Sequence, residues 1–117
     1  MKYFYNRNGE PICYIEDNVH IFSFSGDPLG YLYDDKIYAY SGNLLGWYID
    51  DWMVDLNGRS AFYTETSRGG LVKPTMKVAP IRSVKRITPI KCTRRVPSIR
   101  PIKQLSWSYY SDLDFFR

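Results

Sequence analysis

The sequence has few of the side chains that catalysis at neutral pH and metal binding rely on. It contains one histidine, His20, and two distant cysteines, Cys13 and Cys92. Acid–base catalysis near pH 7 relies on histidine or on tuned carboxylates, and zinc sites need clustered Cys and His. No GxSxG motif and no Cys/His spacing is present. We therefore predict a protein that is not an enzyme and that has no cofactor, no catalytic residues and no metal site.

Long apolar runs are also missing from the sequence. No stretch approaches the roughly 20 apolar residues that a membrane helix needs, and the start of the chain has no apolar core typical of a secretory signal. The two cysteines stand without a CxxC partner, which favours reduced thiols inside a cell over a disulfide. We expect a soluble, cytoplasmic protein with no membrane partner.

Acidic residues are absent from one third of the chain. Residues 68–104 contain eleven Lys and Arg and no Asp or Glu, whereas residues 1–67 have a net charge of −6. Opposite charges on two segments favour an interaction between them or with an oppositely charged partner. The overall charge of +4 hides this division.

The acidic half is an internal repeat. Four glycines are separated by 17, 16 and 16 residues, each preceded by Asn or Ser and followed five residues later by an aromatic residue. Flanking residues alternate between apolar and polar, as in a pleated strand, and Asn-Gly is a strong signal for a two-residue type I′ hairpin turn. The repeat predicts an all-β body of four hairpins, about 16 residues each, in a pseudo-four-fold arrangement. The four turn glycines are Gly9, Gly26, Gly42 and Gly58.

Aromatic residues at equivalent positions of the repeat suggest either a core or a ligand site. A single hairpin is marginal in water, so the four must pack together. Equivalent residues would then form a ring, which could be part of the core or a cage for a sugar or another small ligand. The candidate ring consists of Tyr14, Tyr31, Trp47 and Tyr63.

Apolar residues recur every three positions in the basic half. A polyproline II helix has three residues per turn and keeps such a row on one side, whereas strands and α-helices do not. We expect an extended tail whose apolar row contacts the acidic, aromatic body of the same chain or of a neighbour. The row consists of Val78, Ile81, Val84, Ile87, Ile90, Val96, Ile99 and Ile102.

The repeat resembles a known family. The segments NRNGEPICYI, FSGDPLGYL and YSGNLLGWYIDDWMVDLNG and the trailing basic, proline-containing run are similar to the four-fold beta flower family. The resemblance implies a body of four β-hairpin petals. It implies no activity, cofactor or site residue.

Three segments and three functions follow from these patterns. We predict a four-hairpin body (1–67), an extended basic Pro/Ile/Lys tail docking on it (68–106) and an aromatic C-terminal anchor (107–117). The leading hypothesis is a binding or assembly module in which the tail clasps the body in cis or in trans, with self-association or an unknown protein partner. The alternatives are a nucleic-acid-binding protein that uses the basic tail and a small-ligand or sugar site at the aromatic ring.

Overall fold

The computed structural model describes residues 1–96 and 99–117, and the body is a single antiparallel meander. Each strand pairs with the strands next to it in sequence, so the predicted all-β fold of four hairpins is confirmed. The strands are β1 (Lys2–Tyr5), β2 (Pro11–Ile15), β3 (His20–Ser23), β4 (Pro28–Tyr33), β5 (Lys36–Tyr38), β6 (Leu44–Ile49), β7 (Trp52–Asp55) and β8 (Ser60–Phe62). Hairpins 1 to 4 are β1–β2, β3–β4, β5–β6 and β7–β8.

The last hairpin returns to the first. The N–H of Tyr5 donates to the carbonyl of Tyr63 at 2.8 Å, and the N–H of Tyr63 donates to the carbonyl of Tyr5 at 2.9 Å. Tyr63 directly follows β8, so this pair joins the two ends of the meander into a nearly closed, barrel-like sheet. The edge strands that would otherwise be open to pairing with another chain are thereby brought together. The molecule measures 37 × 36 × 21 Å and has the proportions of a thick disc.

The hairpin turns at the glycines are wider than the predicted type I′ turns. In hairpin 1 the Gly9 N–H donates to the Asn6 carbonyl at 2.9 Å, and the Asn6 N–H donates to the Glu10 carbonyl at 3.0 Å. Positive φ is confined to the glycine, at 75° for Gly9 and 87° for Gly58. A three-residue loop with a type I turn and a bulged left-handed glycine has this pattern. The type I′ prediction at Asn8-Gly9 and Asn57-Gly58 was therefore wrong.

The two-residue turn with two left-handed residues occurs between hairpins instead. Ile49 pairs with Trp52, and the two residues between them, Asp50 and Asp51, have φ of 51° and 65°. Aspartate tolerates this conformation better than most residues because its short side chain bonds locally. The Asp51 carboxylate accepts a hydrogen bond from the Tyr48 hydroxyl at 3.0 Å and pairs with Lys2 at 3.2 Å. These contacts account for the acidic residues at the link between hairpins 3 and 4.

One face of the sheet encloses the main core. Phe4, Ile21, Ile37, Met53 and Phe62 are fully buried there. They come from strands of all four hairpins, in agreement with the alternation in the sequence. Gly30 and Gly46 lie where a Cβ atom would meet the carbonyl oxygens of Tyr38 and Val54. Close backbone approach is therefore the reason that these two positions hold glycine.

The C-terminal residues complete this core. A short 3-10 helix (Leu113–Phe116) begins at Asp112, whose carboxylate accepts a hydrogen bond from the Leu113 N–H at 2.7 Å. Phe115 and Phe116 are buried, with ring centroids 5.4 and 6.1 Å from that of Phe62. Phe115 and Phe116 therefore belong to the same core as the strands.

Truncation of the C-terminal aromatic residue tests this packing. Phe115→Ala should lower the free energy of unfolding by about 3–5 kcal/mol because it removes a buried ring and leaves a cavity. Urea unfolding followed by circular dichroism measures the change. Tyr109→Ala, at a ring that is 80% exposed, should change it by about 0.5 kcal/mol or less. Equal effects of the two substitutions would contradict the assignment of Phe115 to the core.

Candidate interaction surface

The tail contacts each hairpin turn of its own chain through the main chain. Four tail amides donate to the carbonyls of the four turn glycines at 2.8–2.9 Å. The donors are nine residues apart, while the glycines are 16 or 17 residues apart, so one nine-residue unit of tail corresponds to one hairpin. The pairs are Lys77 to Gly9, Arg86 to Gly26, Arg95 to Gly42 and Gln104 to Gly58.

Two hairpins receive a further tail amide. Ser83 donates to the Phe24 carbonyl and Cys92 donates to the Tyr40 carbonyl, both at 2.9 Å. Nine residues before Ser83 and nine after Cys92 the tail has Pro74 and Pro101, which carry no N–H. Each nine-residue unit of the tail therefore bonds its turn glycine, and the units at hairpins 2 and 3 donate one more main-chain hydrogen bond.

The tail begins and ends at the same place on the body. Leu71, Met76 and Trp107 all pack on the cluster that contains Trp52 and Tyr63. The Trp107 ring lies 5.8 Å from the Trp52 ring, and a parallel bridge joins Trp107 to Ser60. The tail therefore encircles the body, visiting hairpins 1, 2, 3 and 4 in turn.

The turn glycines are required by the tail as well as by the turn. A Cβ atom on Gly42 would collide with the carbonyl oxygen of Thr93, and the other three turn glycines face tail carbonyls in the same way. Each glycine also has a positive φ, 94° at Gly42, which side chains disfavour. The tail could not approach the turns closely if any residue other than glycine stood there.

Gly42→Ala tests the close approach. We expect a loss of more than about 1 kcal/mol of unfolding free energy and faster trypsin cleavage after Arg94 and Arg95, because the tail is displaced from hairpin 3. Gly69→Ala is the matched control: its φ is 66°, and no described atom lies within 4 Å of the added Cβ. If both variants keep the tail equally protected, the proposed clash at Gly42 does not occur.

Basic side chains of the tail face the body and lie over its aromatic rings. The Lys91 ammonium is 4.7 Å from the ring centre of Tyr31, and the Arg94 guanidinium is 3.6 Å from that of Tyr33. Such cation–π contacts stabilise by about 0.5–1 kcal/mol at exposed sites. Equivalent contacts place Arg82 over Tyr14, Lys85 over Phe22 and Lys103 over Trp52.

Ion pairs between tail and body accompany these stacks. Lys85 pairs with Glu16 at 2.8 Å, Arg86 with Asp27 at 3.0 Å and Arg100 with Asp35 at 3.0 Å. The hydrogen bond from Lys85 lowers the pKa of the Glu16 carboxyl and raises the pKa of Lys85. Exposed pairs of this kind contribute little individually, but they agree with the opposite charges of the two segments.

The apolar row of the tail faces away from the body of its own chain, contrary to the prediction that this row forms the contact. Its side chains are 89–96% exposed. The position that follows most row residues holds a cation that faces the rings, because Lys and Arg stems cover aromatic surface while the charge meets the acidic body. The outward side chains are those of Val78, Ile81, Val84, Ile87, Ile90, Val96, Ile99 and Ile102.

The predicted ring of aromatic residues is not assembled as one cage. Tyr14 packs with Phe22 and Phe24, and Tyr31 packs with Tyr38 and Tyr40, in two separate clusters. Trp47 and Tyr63 belong to a third cluster. All four are at most 3% exposed, and the strands hold them at separate places around the circumference of the sheet. A ligand ring at these residues was therefore a wrong interpretation of the repeat.

A family comparison agrees with this architecture. A family model described as 4-fold beta flower protein matches residues 2–116, which include the body, the tail and the C-terminal helix. The chain belongs to this family. No curated protein and no solved structure matches the chain.

The match to the beta flower family covers the whole fold described above. Residues 2–116 contain both the four hairpins and the encircling tail, so the two repeats, of hairpin and of tail, are both within the matched region. No helix in the described ranges is long and apolar enough to cross a membrane. Within those ranges, no group of three or more His, Cys, Asp or Glu residues is placed to hold a metal ion.

The sequence of the tail also contains a nine-residue period. Its apolar triplets are grouped in threes, and each group of three corresponds to one hairpin. Prolines Pro80 and Pro89 are nine apart, as are Arg82 and Lys91. Three triplets per hairpin would have predicted a tail that follows the four turns.

Proposed function

We propose that the protein is a non-enzymatic assembly module in which copies of the chain associate through the outward apolar row of the tail. The observation that carries the proposal is the exposure of this row, 89–96% for eight Val and Ile side chains. Large apolar side chains that are exposed in a regular row, and not scattered singly, typically mark an interaction site. Burying one such side chain contributes about 1.5–3 kcal/mol.

Thr93 divides the row into two arcs, and Thr75 precedes its first residue, Val78. Thr75 and Thr93 occupy row positions, and their carbonyls face Gly9 and Gly42 in hairpins 1 and 3. The first arc runs from Val78 to Ile90 past hairpin 2, and the second runs from Val96 to Leu105 past hairpin 4. Since the tail encircles the body, the two arcs lie on opposite sides of the disc.

A second copy is the occupant that this surface fits best. The two arcs have the same chemistry and the same three-residue spacing, so an arc of one molecule can meet an arc of another. The main-chain bonds to the turns hold the tail before association, which lowers the conformational entropy lost on binding. Two opposite arcs per molecule allow growth beyond a dimer, as non-closing contacts do.

The same contacts make nucleic acid the weaker alternative. Lys91 and Arg94 lie over rings, and Lys85 and Arg100 pair with body carboxylates. To bind a phosphate, a cation engaged in this way would have to give up its contact with the body, while nucleic-acid affinity depends on the number of phosphates neutralised. The placement of charge therefore favours assembly through the apolar side of the tail.

Size-exclusion chromatography with multi-angle light scattering tests the proposal. The wild-type protein should form species larger than a dimer as its concentration rises. Ile81→Thr, Ile87→Thr and Ile90→Thr combined remove all three isoleucines of the first arc and should limit assembly to dimers through the other. Adding Val96→Thr, Ile99→Thr and Ile102→Thr should give monomers. Threonine is chosen because the row already contains it at positions 75 and 93.

The control substitutes polar tail residues without touching the arcs. Thr75→Ser, Thr88→Ser and Thr93→Ser combined should assemble like the wild type. Circular dichroism must show that each variant keeps the β-sheet signal. A wild-type protein that is monomeric up to its solubility limit, or a six-threonine variant that still assembles, would overturn the proposal.

A further inference from the structure

A groove of about 590 Å³ opens between hairpins 3 and 4. Its volume falls within the range of small-molecule sites. Leu44, Leu45, Leu56 and Phe115 supply apolar surface, and Arg95 and Arg117 supply positive charge. Val96, a residue of the outward apolar row, also lines the groove.

A break in the pseudo-four-fold symmetry accompanies the groove. Two positions before the turn glycine, hairpins 2 and 3 have Phe24 and Tyr40, which are buried against Tyr14 and Tyr31. Hairpin 4 has Leu56 at this position, and Leu56 is 48% exposed. Leu56 is smaller than Phe24 or Tyr40 and does not pack in an aromatic cluster, so the groove beside it stays open.

The charge that faces the groove is positive. The main chain of each arginine is fixed, because the Arg95 N–H donates to Gly42 and the Arg117 N–H donates to Asp114. Among the lining residues that the structure describes, Asp55 is the one with an acidic side chain, and it is buried and already hydrogen-bonded. It accepts hydrogen bonds from the N–H groups of Asn57 and Arg59 at 2.9 Å and from the Ser108 hydroxyl at 2.6 Å.

We propose that this groove binds a small organic anion of the alkyl carboxylate class. The acidic head would bind Arg95 and Arg117, whose guanidinium groups match carboxylate geometry, and the alkyl chain would lie on Leu44, Leu45, Leu56 and Phe115. The proposal does not rest on self-assembly, because the contacts assigned here to the acidic head and the alkyl chain use side chains outside the arcs, although Val96 of the second arc also borders the groove. Either one can fail without the other.

Titration of the full-length protein with octanoate tests the site. Isothermal calorimetry should give saturable binding, and proton–nitrogen NMR should place the shifted amides at Leu45, Leu56 and Phe115. Octanol, with the same chain and no charge, should bind at least about tenfold more weakly, since charge-assisted hydrogen bonds contribute about 1.5–3 kcal/mol.

Matched variants separate the groove from the remainder of the basic tail. Arg95→Gln and Arg117→Gln should each weaken octanoate binding about tenfold or more. Leu56→Glu, at a half-exposed position, should abolish binding by repulsion. Arg86→Gln is the control, because Arg86 occupies the position equivalent to Arg95 one nine-residue unit earlier. It should leave the affinity unchanged.

Three results would overturn the proposal. They are the absence of saturable octanoate binding, equal affinity for octanol, and equal weakening by Arg86→Gln and Arg95→Gln. Amide shifts confined to the apolar arcs would likewise show that the alkyl chain binds the row and not the groove.

Discussion

Main-chain hydrogen bonds between the tail and the four glycine turns determine how the rest of the surface is arranged. Each bond pairs one tail amide with one turn carbonyl, and each depends on a glycine that lets the chains approach. In each tail triplet that contacts a turn, one residue binds that turn through its main chain. The three-residue period then fixes the directions in which the other two side chains point. One carries the cations that lie over Tyr31 and Tyr33, and the other points to solvent. The apolar row is exposed because of this constraint.

The tail also compensates for the small size of the body. A domain of fewer than 70 residues buries a modest share of its surface, and a four-hairpin ring leaves aromatic residues near its rim. The tail covers these rings, and Trp107 packs on Trp52 and Tyr63 where the circle closes. Phe115 and Phe116 then complete the inner core. Residues far apart in sequence therefore supply both the outer and the inner contacts of the sheet.

Much of the body could be predicted from the sequence, since glycine spacing and strand alternation are local signals. The turn type could not, because Asn-Gly suits both a two-residue type I′ turn and the bulged three-residue loop that forms. The orientation of the tail could not either. A period of three gives the tail three faces. The apolar face was predicted to contact the body, but it points to solvent. Cations over aromatic rings and amides bound to carbonyls outweigh aliphatic burial here, and both depend on tertiary placement. The groove depends on Leu56, which no local pattern singles out.

Departures from the four-fold pattern are the features most closely tied to binding in this molecule. The repeated contacts explain stability: each hairpin receives a tail unit, and the glycines serve the same purpose in each. Where hairpin 3 meets the Thr93 carbonyl, the apolar row is divided into two arcs. Where hairpin 4 has Leu56, a groove with two arginines lies open. Two positions before the turn glycine, packing constrains Phe24 and Tyr40 but not Leu56, so the residue there can differ without altering the fold. The arcs and the groove arise at such positions.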